Sequence, residues 1–318
     1  MMQAVVVRHS GGPEVLEVVE VPKPTVRPGW TLIQVKGRGV NHSEVFTREG
    51  KSPSVKFPRI LGIEAVGLVV DTTDSQRLPV GQVVITFMGE MGRAYDGSYA
   101  EYVLVPNDQL LPVTTSLSWE NLAAVPETYY TAYGALLGLN LAAGQSLLIR
   151  GGTSGVGVAA VKLAHAMAAD VTVIATTRNL ASEQQLKAAG YDDVIQEQDG
   201  RLLTDEKFDR ILDLIGPATV PDSLQRMNLG GIVSSTGQLG GQWTLDDFDP
   251  IMAIPNGVYL TSFYSGDVDN QRVQALLELI ATRQIDVRPV KTYPLSDMRA
   301  AHEFLASQQG FGKVVVLS

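Results

Sequence analysis

The chain has 318 residues, 45% apolar and 19% charged, with a formal charge of −9 and no cysteine. That length exceeds one small core and suits two domains. The acidic balance excludes an electrostatic grip on nucleic-acid phosphates, and the missing cysteine excludes disulfides, thiolate metal sites and a cysteine nucleophile. No apolar run reaches the 18 or so residues of a membrane span. MMQAVVVRHSGG reads as a first strand rather than a signal peptide. A cysteine-free chain fits a reducing cytoplasm, which is the expected location.

Residues 1 to about 115 carry short β-type runs, VVV, TLIQVKG, AVGLVV, QVVITF and YAEYVLV, separated by Pro, Gly and Asp. Punctuated runs of this kind predict strands. Helical periodicity is weak there, so a mostly β domain, strongly bent into a barrel, is expected. The texture changes near Ser118. SWENLAAV and PETYYTAYGALLGL read as helices, with Pro126 suited to the first position of the second. Strands and helices then alternate. Ser146 to Arg150 is a strand, Val156 to Ala169 an alanine-rich helix, and VTVIATT the next strand. Ser182 opens a further helix with capping-box spacing to Gln185, and Gly190 stops it. FDRILDLIG, GIVSSTG and VYLTSFY supply more strands. This alternation predicts a doubly wound parallel sheet covered on both faces. Val273 to Thr282 and Met298 to Ser307 then read as amphipathic helices and GKVVVLS as a closing strand. This tail is expected to rejoin the first domain.

The strongest local signal is SLLIRGGTSGVGVAAVKLAHAMAADVTVIATTRN. Gly152, Ser154 and Gly157 occupy the three positions of a G-x-G-x-x-G turn between a strand and a helix, and Gly155 adds a fourth small residue. A dinucleotide needs such a tight turn, close backbone approach to its pyrophosphate, and a helix N-terminus whose N–H groups face the anion. Serine at the middle position is compatible if its side chain turns away, and its hydroxyl is also a possible phosphate donor. The second strand ends Thr176, Thr177, Arg178, Asn179, without the acid that would hold ribose hydroxyls in an NAD binder. An acid repels a 2′-phosphate, whereas a guanidinium pairs with it. The expected cofactor is therefore NADPH.

FPRILGIEAVGLVV carries a G-x-E-x-x-G element at Gly62, Glu64 and Gly67, and DGSYAEYVLVP, PETYYTAYGAL, RGGTSGVG and the closing GKVVVL follow in order. With these motifs the chain resembles, nearly end to end, the medium-chain dehydrogenase/reductases, and within them the zinc-free quinone oxidoreductase branch that contains zeta-crystallin. The resemblance implies an α/β protein in which a Rossmann coenzyme domain, residues 119–265, is inserted into a mostly β, GroES-like barrel domain made of residues 1–118 and 266–318. It implies hydride transfer from NADPH to a small molecule, a quinone or an activated alkene, and a homodimer built through the coenzyme domain. The site residues expected on this basis are Asn41 and Tyr130 for catalysis, and His42, Thr131, Gly152, Ser154, Gly155, Val156, Gly157, Thr177, Arg178, Gly237, Phe263 and Lys313 for the coenzyme.

The segment GVNHSE, Gly39 to Glu44, invites a metal reading. The zinc alcohol dehydrogenases are similar to this chain, and by motif their catalytic ligands fall on Asn41, Ile63 and Glu127. Isoleucine binds no metal and an asparagine carbonyl is a poor zinc ligand. Phe87 to Gly97 lacks the four cysteines of a structural zinc lobe. No metal is expected. Without a Lewis acid, an alcohol is hard to deprotonate and a carbonyl hard to polarise. In the related dehydrogenases a basic residue at position 42 approaches the coenzyme pyrophosphate; His42 does the same or is a satisfied loop histidine. Ser43 is expected in a local turn hydrogen bond, Glu44 in a structural role, and Asn41 near the nicotinamide, with its amide donating to the substrate oxygen. Tyr129 and Tyr130 are weaker donor candidates, with helix packing expected of at least one. The family often has a tyrosine shortly after Arg48–Glu49–Gly50, where this chain has KSPSVKF. Rival readings are an alcohol or carbonyl oxidoreductase and a non-catalytic NADPH-binding protein.

Overall fold

The computed structural model describes residues 1–307 and 310–318. Two compact units divide the chain. The first is Met1–Glu127 with Gly266–Leu277 and Val287–Ser318, and the second is Thr128–Ser265 with Glu278–Asp286.

The chain opens with strands β1 (Met2–Val7), β2 (Leu16–Val21) and β3 (Trp30–Val40), helix α1 (His42–Arg48), then β4 (Arg59–Ile60), β5 (Glu64–Thr72), β6 (Val83–Phe87), β7 (Tyr102–Pro106), β8 (Leu111–Pro112) and helix α2 (Trp119–Ala123). Helix α1 was not anticipated, because seven residues are too few to show a 3.6-residue period. Helix α3 (Pro126–Leu139) leads into β9 (Ser146–Arg150), α4 (Gly155–Met167), β10 (Thr172–Thr177), α5 (Glu183–Ala188), β11 (Asp193–Gln198), β12 (Arg201–Leu202), β13 (Phe208–Asp213), α6 (Val220–Gln225), β14 (Met227–Ser235), α7 (Pro250–Ala253) and β15 (Tyr259–Ser262). The tail is α8 (Asn270–Thr282), β16 (Lys291–Pro294), α9 (Met298–Ser307) and β17 (Val314–Leu317).

In the first unit, β16, β17, β3, β5, β6 and β8 form one sheet in that order, with β7 also on β3, and β2, β1 and β4 form a second. Long β3 is the hub, pairing antiparallel with β5, β7 and β17. At Gly67 a Cβ would fall 2.1 Å from the Gln34 carbonyl, so the last glycine of G-x-E-x-x-G permits the close β3–β5 approach where the register shifts. Residues 119–127, expected with the coenzyme domain, cluster here. Ala123 fills the space that a Cβ on Gly37 would need, and the Glu127 N–H donates to Glu64 Oε2 at 2.9 Å.

In the second unit the strand order is β12-β11-β10-β9-β13-β14-β15. All neighbours run parallel except β12, which runs antiparallel to β11. The chain winds outward from β9 in one direction and from β13 in the other, which makes β9/β13 the topological switch point. Residues 278–286, expected with the barrel, belong here: the Asp286 carbonyl accepts from Lys162 Nζ at 2.6 Å and from Tyr129 Oη at 3.3 Å. Ser182 makes no capping hydrogen bond; it closes a short 3-10 turn whose cap is Asn179, bonded to the Ala181 N–H. Asparagine three residues upstream provides the same local acceptor, so the capping-box reading of Ser182 fails. Gly190, at φ +114°, does stop α5.

Candidate active site

In the second unit the glycine loop follows β9 at the switch point. Ser154 is the N-cap of α4: its Oγ accepts the Gly157 N–H at 3.1 Å and donates to the Gly151 carbonyl at 2.8 Å. The hydroxyl is thus spent inside the loop. The N–H groups of Gly155 and Val156, the first two helical residues, have no carbonyl partner within the helix, as at any helix start. A Cβ at Gly157 would come within 2.7 Å of the Gly151 carbonyl, so only glycine lets the helix start lie so close to the strand end. Gly152 is as tightly held, with Tyr191 Oη donating to its carbonyl at 3.0 Å. This cradle fits a dinucleotide pyrophosphate.

Strand β10 runs parallel to β9, so its C-terminal end lies at the same edge of the sheet. Thr177 is buried, with its hydroxyl donating to the Asn179 carbonyl and accepting the Asn179 N–H. Arg178 is exposed beside it. Gly237 follows β14, where a Cβ would fall 2.2 Å from the Leu214 carbonyl beyond β13; the loops after these strands touch through backbone.

Tyr130 and Thr131 are buried on α3. The Tyr130 ring centroid lies 5.7 Å from that of Phe263, and Phe263 sits where a Cβ on Gly134 would be. Tyr130 is wholly buried in this packing, as the helix-packing reading of the tyrosine pair expects. Phe263 braces the helix.

In the first unit, Asn41 is the N-cap residue of α1, yet its side chain does not cap the helix. Its Nδ2 donates to Glu64 Oε1 at 2.8 Å and, at 3.4 Å, to Glu44 Oε1, while its Oδ1 accepts from Lys313 Nζ at 2.5 Å. Lys313 also donates to Glu64 Oε1 at 2.6 Å, with side chains 5% and 0% exposed. Both amide hydrogens of Asn41 are therefore directed at carboxylates, contrary to the expectation of a donor free for substrate. Lys313, expected on the coenzyme, is the partner of Asn41 and Glu64.

Burial, and then the charge of Lys313, push the His42 pKa down. Ser43 accepts from Arg93 Nη2 at 2.7 Å, a bond across 50 positions rather than the local turn expected. Glu44 is buried, accepts the Ile63 N–H at 3.2 Å, and has its pKa pushed up to about 7 by burial and then by Glu64. Sequence reasoning missed Glu64 and Lys313 as the supports of Asn41. A signal existed: each is a lone charge beside an apolar strand, and a buried charge needs a partner. Among the described residues no three His, Cys, Asp or Glu side chains gather to hold a metal ion.

A doubly wound sheet with a glycine loop at its switch point, together with a GroES-like β unit, defines a dinucleotide-dependent dehydrogenase or reductase fold. An alcohol dehydrogenase GroES-like domain model matches residues 27–115, and a zinc-binding dehydrogenase model matches residues 189–316. The chain belongs to the medium-chain dehydrogenase/reductase superfamily, in its quinone oxidoreductase branch. It is 29% identical to the quinone oxidoreductase of Lama guanicoe, covering 100% of this chain and 98% of that one. A phenolphthiocerol synthesis polyketide synthase of Mycobacterium bovis is 30% identical over 96% of this chain, which spans 15% of that much longer protein. A mycobacterial protein solved in complex with NADPH superposes with a TM-score of 0.83 at 26% identity, over 100% of both chains.

Proposed function

We propose that the protein is an NADPH-dependent, zinc-independent oxidoreductase that delivers hydride to a quinone or an activated alkene. The observation that carries this reading is the bonding of Asn41 to Lys313 and Glu64. The residue that matches a metal ligand by motif is an amide held by an ammonium and a carboxylate, and Ile63 stands at the second ligand position. No residue set there can activate an alcohol through a metal, so the substrates that fit are those already electrophilic at carbon. The bound reduced coenzyme supplies hydride and its electron pair. The π electrons of the acceptor move onto oxygen, and water supplies the proton. The chain's own part is to hold the pyrophosphate on the Gly155 and Val156 N–H groups, to pair a 2′-phosphate with Arg178, and to stabilise the negative oxygen.

The test is steady-state oxidation of NADPH and NADH with ortho-quinones, enones and simple ketones, with and without chelator. Turnover of quinones or enones, indifferent to chelator, is expected. Chelator-sensitive ketone reduction would establish the alcohol or carbonyl oxidoreductase instead, and NADPH binding without turnover a non-catalytic binding protein. A cytoplasmic location belongs to the same reading and is checked by cell fractionation.

A homodimer is part of this proposal. Strand β15 is the outer strand of its sheet, leaving a row of backbone groups without a neighbouring strand. Tyr259 on it is exposed, as are Leu229 (88%), Ile251 (88%) and Met252 (79%). Light scattering should give twice the chain mass, and Tyr259→Lys with Leu229→Asp should give one.

A further inference from the structure

We propose that Tyr191 is a positioning residue for the coenzyme: its hydroxyl holds the Gly152 carbonyl inward and so turns the Thr153 N–H outward, as a further donor to the pyrophosphate. This rests on the coenzyme-binding reading above, and every residue in it belongs to the second unit.

Tyr191 stands just ahead of β11, and its own backbone is pinned on both sides. Its N–H donates to the Leu186 carbonyl at 3.3 Å, and the Asp192 N–H donates to the Val173 carbonyl on β10 at 2.9 Å. Strand β10 lies between β11 and β9. The side chain reaches past it to the loop after β9, where Oη donates to the Gly152 carbonyl at 3.0 Å. A Cβ at Gly152 would lie 2.9 Å from Ala175 Cβ and 3.0 Å from Tyr191 Oη, so the loop rests directly on β10 and on this hydroxyl. Tyr191 is 3% exposed. Burial pushes its phenol well above the ordinary pKa, so the hydroxyl keeps its proton and donates.

Peptide geometry carries the consequence. The Gly152–Thr153 peptide is trans. In a planar trans peptide the C=O and the following N–H point in opposite directions. With the Gly152 carbonyl drawn into the buried contact, the Thr153 N–H faces away from it. Thr153 is partly exposed, and its N–H has no acceptor among the described residues. It precedes the N–H groups of Gly155 and Val156 in the same loop, and successive N–H groups of a turn form an anion-binding concavity. Glycine at 152 makes the clamp necessary. Without a Cβ, the backbone there has several conformations open to it. A buried carbonyl that lost its donor would rotate to find another, and the Thr153 N–H would rotate with it.

Two variants test the assignment. Tyr191→Phe removes the hydroxyl and keeps the ring, whereas Tyr191→Leu removes both. The NADPH dissociation constant, titrated by fluorescence below the melting temperature of each protein, should rise about five- to tenfold in both. The melting temperature should fall further in Tyr191→Leu, because only that variant loses the ring packing. Affinity that follows the hydroxyl while stability follows the ring separates positioning from packing. The Thr153 amide, isotope-labelled for NMR, gives a direct readout that needs only the wild type. Its proton resonance should move downfield as NADPH saturates the protein, and should move less in Tyr191→Phe.

Unchanged NADPH affinity in Tyr191→Phe would overturn the proposal. So would a loss of affinity confined to Tyr191→Leu, the mark of a packing role, or a Thr153 amide that NADPH leaves unmoved. Wild-type protein that binds neither NADPH nor NADH would instead overturn the coenzyme reading itself.

Discussion

Arg48 Nη1 lies 3.0 Å from His302 Nδ1, joining side chains 254 positions apart, on α1 and α9. Arginine only donates, so Nδ1 is the acceptor, and the Nε2–H then donates to Tyr99 Oη, 3.0 Å away. The neutral tautomer is set by its partners. Burial, and then the charge of Arg48, press the His302 pKa down to about 3.

Because the folded form resists this proton and the unfolded form accepts it near pH 6.5, the contribution is full above that pH and is lost as pH falls through about 3. On the order of 5 kcal/mol is at stake. Urea unfolding across pH should show stability dropping through this window. His302→Gln, which does not titrate, should start about 1–2 kcal/mol lower at pH 7 and lose that part of the slope. An unchanged slope would assign the acid sensitivity elsewhere.

Glu44 acts with the opposite sign. Its folded pKa of about 7 exceeds the ordinary glutamate value of 4.5, so the folded form holds the proton longer and stability falls as pH rises between the two. Glu44→Gln removes the buried charge. Relative to wild type it should gain on the order of 2 kcal/mol between pH 5 and pH 8, measured by the same unfolding series. A constant difference would show that Glu44 does not titrate there.

Arg178→Ala should weaken NADPH by roughly 10- to 100-fold, the worth of a charge-assisted hydrogen bond, and leave NADH nearly unchanged. Fluorescence titration with both coenzymes measures it. Equal losses would remove the basis for a 2′-phosphate contact.

Ser154 serves the helix through the Gly157 N–H. Ser154→Ala should cost about 1 kcal/mol of stability, and Ser154→Gly only a few tenths. NADPH affinity should follow the state of the cap rather than the hydroxyl itself, so Ser154→Gly should bind nearly as well as wild type. A large loss in Ser154→Gly would mean that the hydroxyl meets the phosphate directly.

Much of the fold was legible because its signals are local. The α3 helix from Pro126 to Leu139 and the β9 strand from Ser146 to Arg150 appear where their patterns predict them. Ser182 shows the limit even there, since Asn179 satisfies the same turn first. The candidate site was legible only in part. GVNHSE pointed to Asn41 but not to the direction of its amide, and the tyrosine pair suggested helix packing for at least one member without showing that both are buried or that Tyr130 meets Phe263.

Read alone, the sequence determined the strand–helix alternation, the glycine turn, and an arginine rather than an acid at the end of the second strand. These depend on residue type and spacing within about 30 positions, where backbone hydrogen bonding and side-chain sterics act directly. Tertiary structure alone decided that Lys313 meets Asn41 across 272 positions and that His302 meets Arg48 across 254. Pairing of β17 with β3 brings the tail to the first strands, and burial then forces each isolated charge to find its partner.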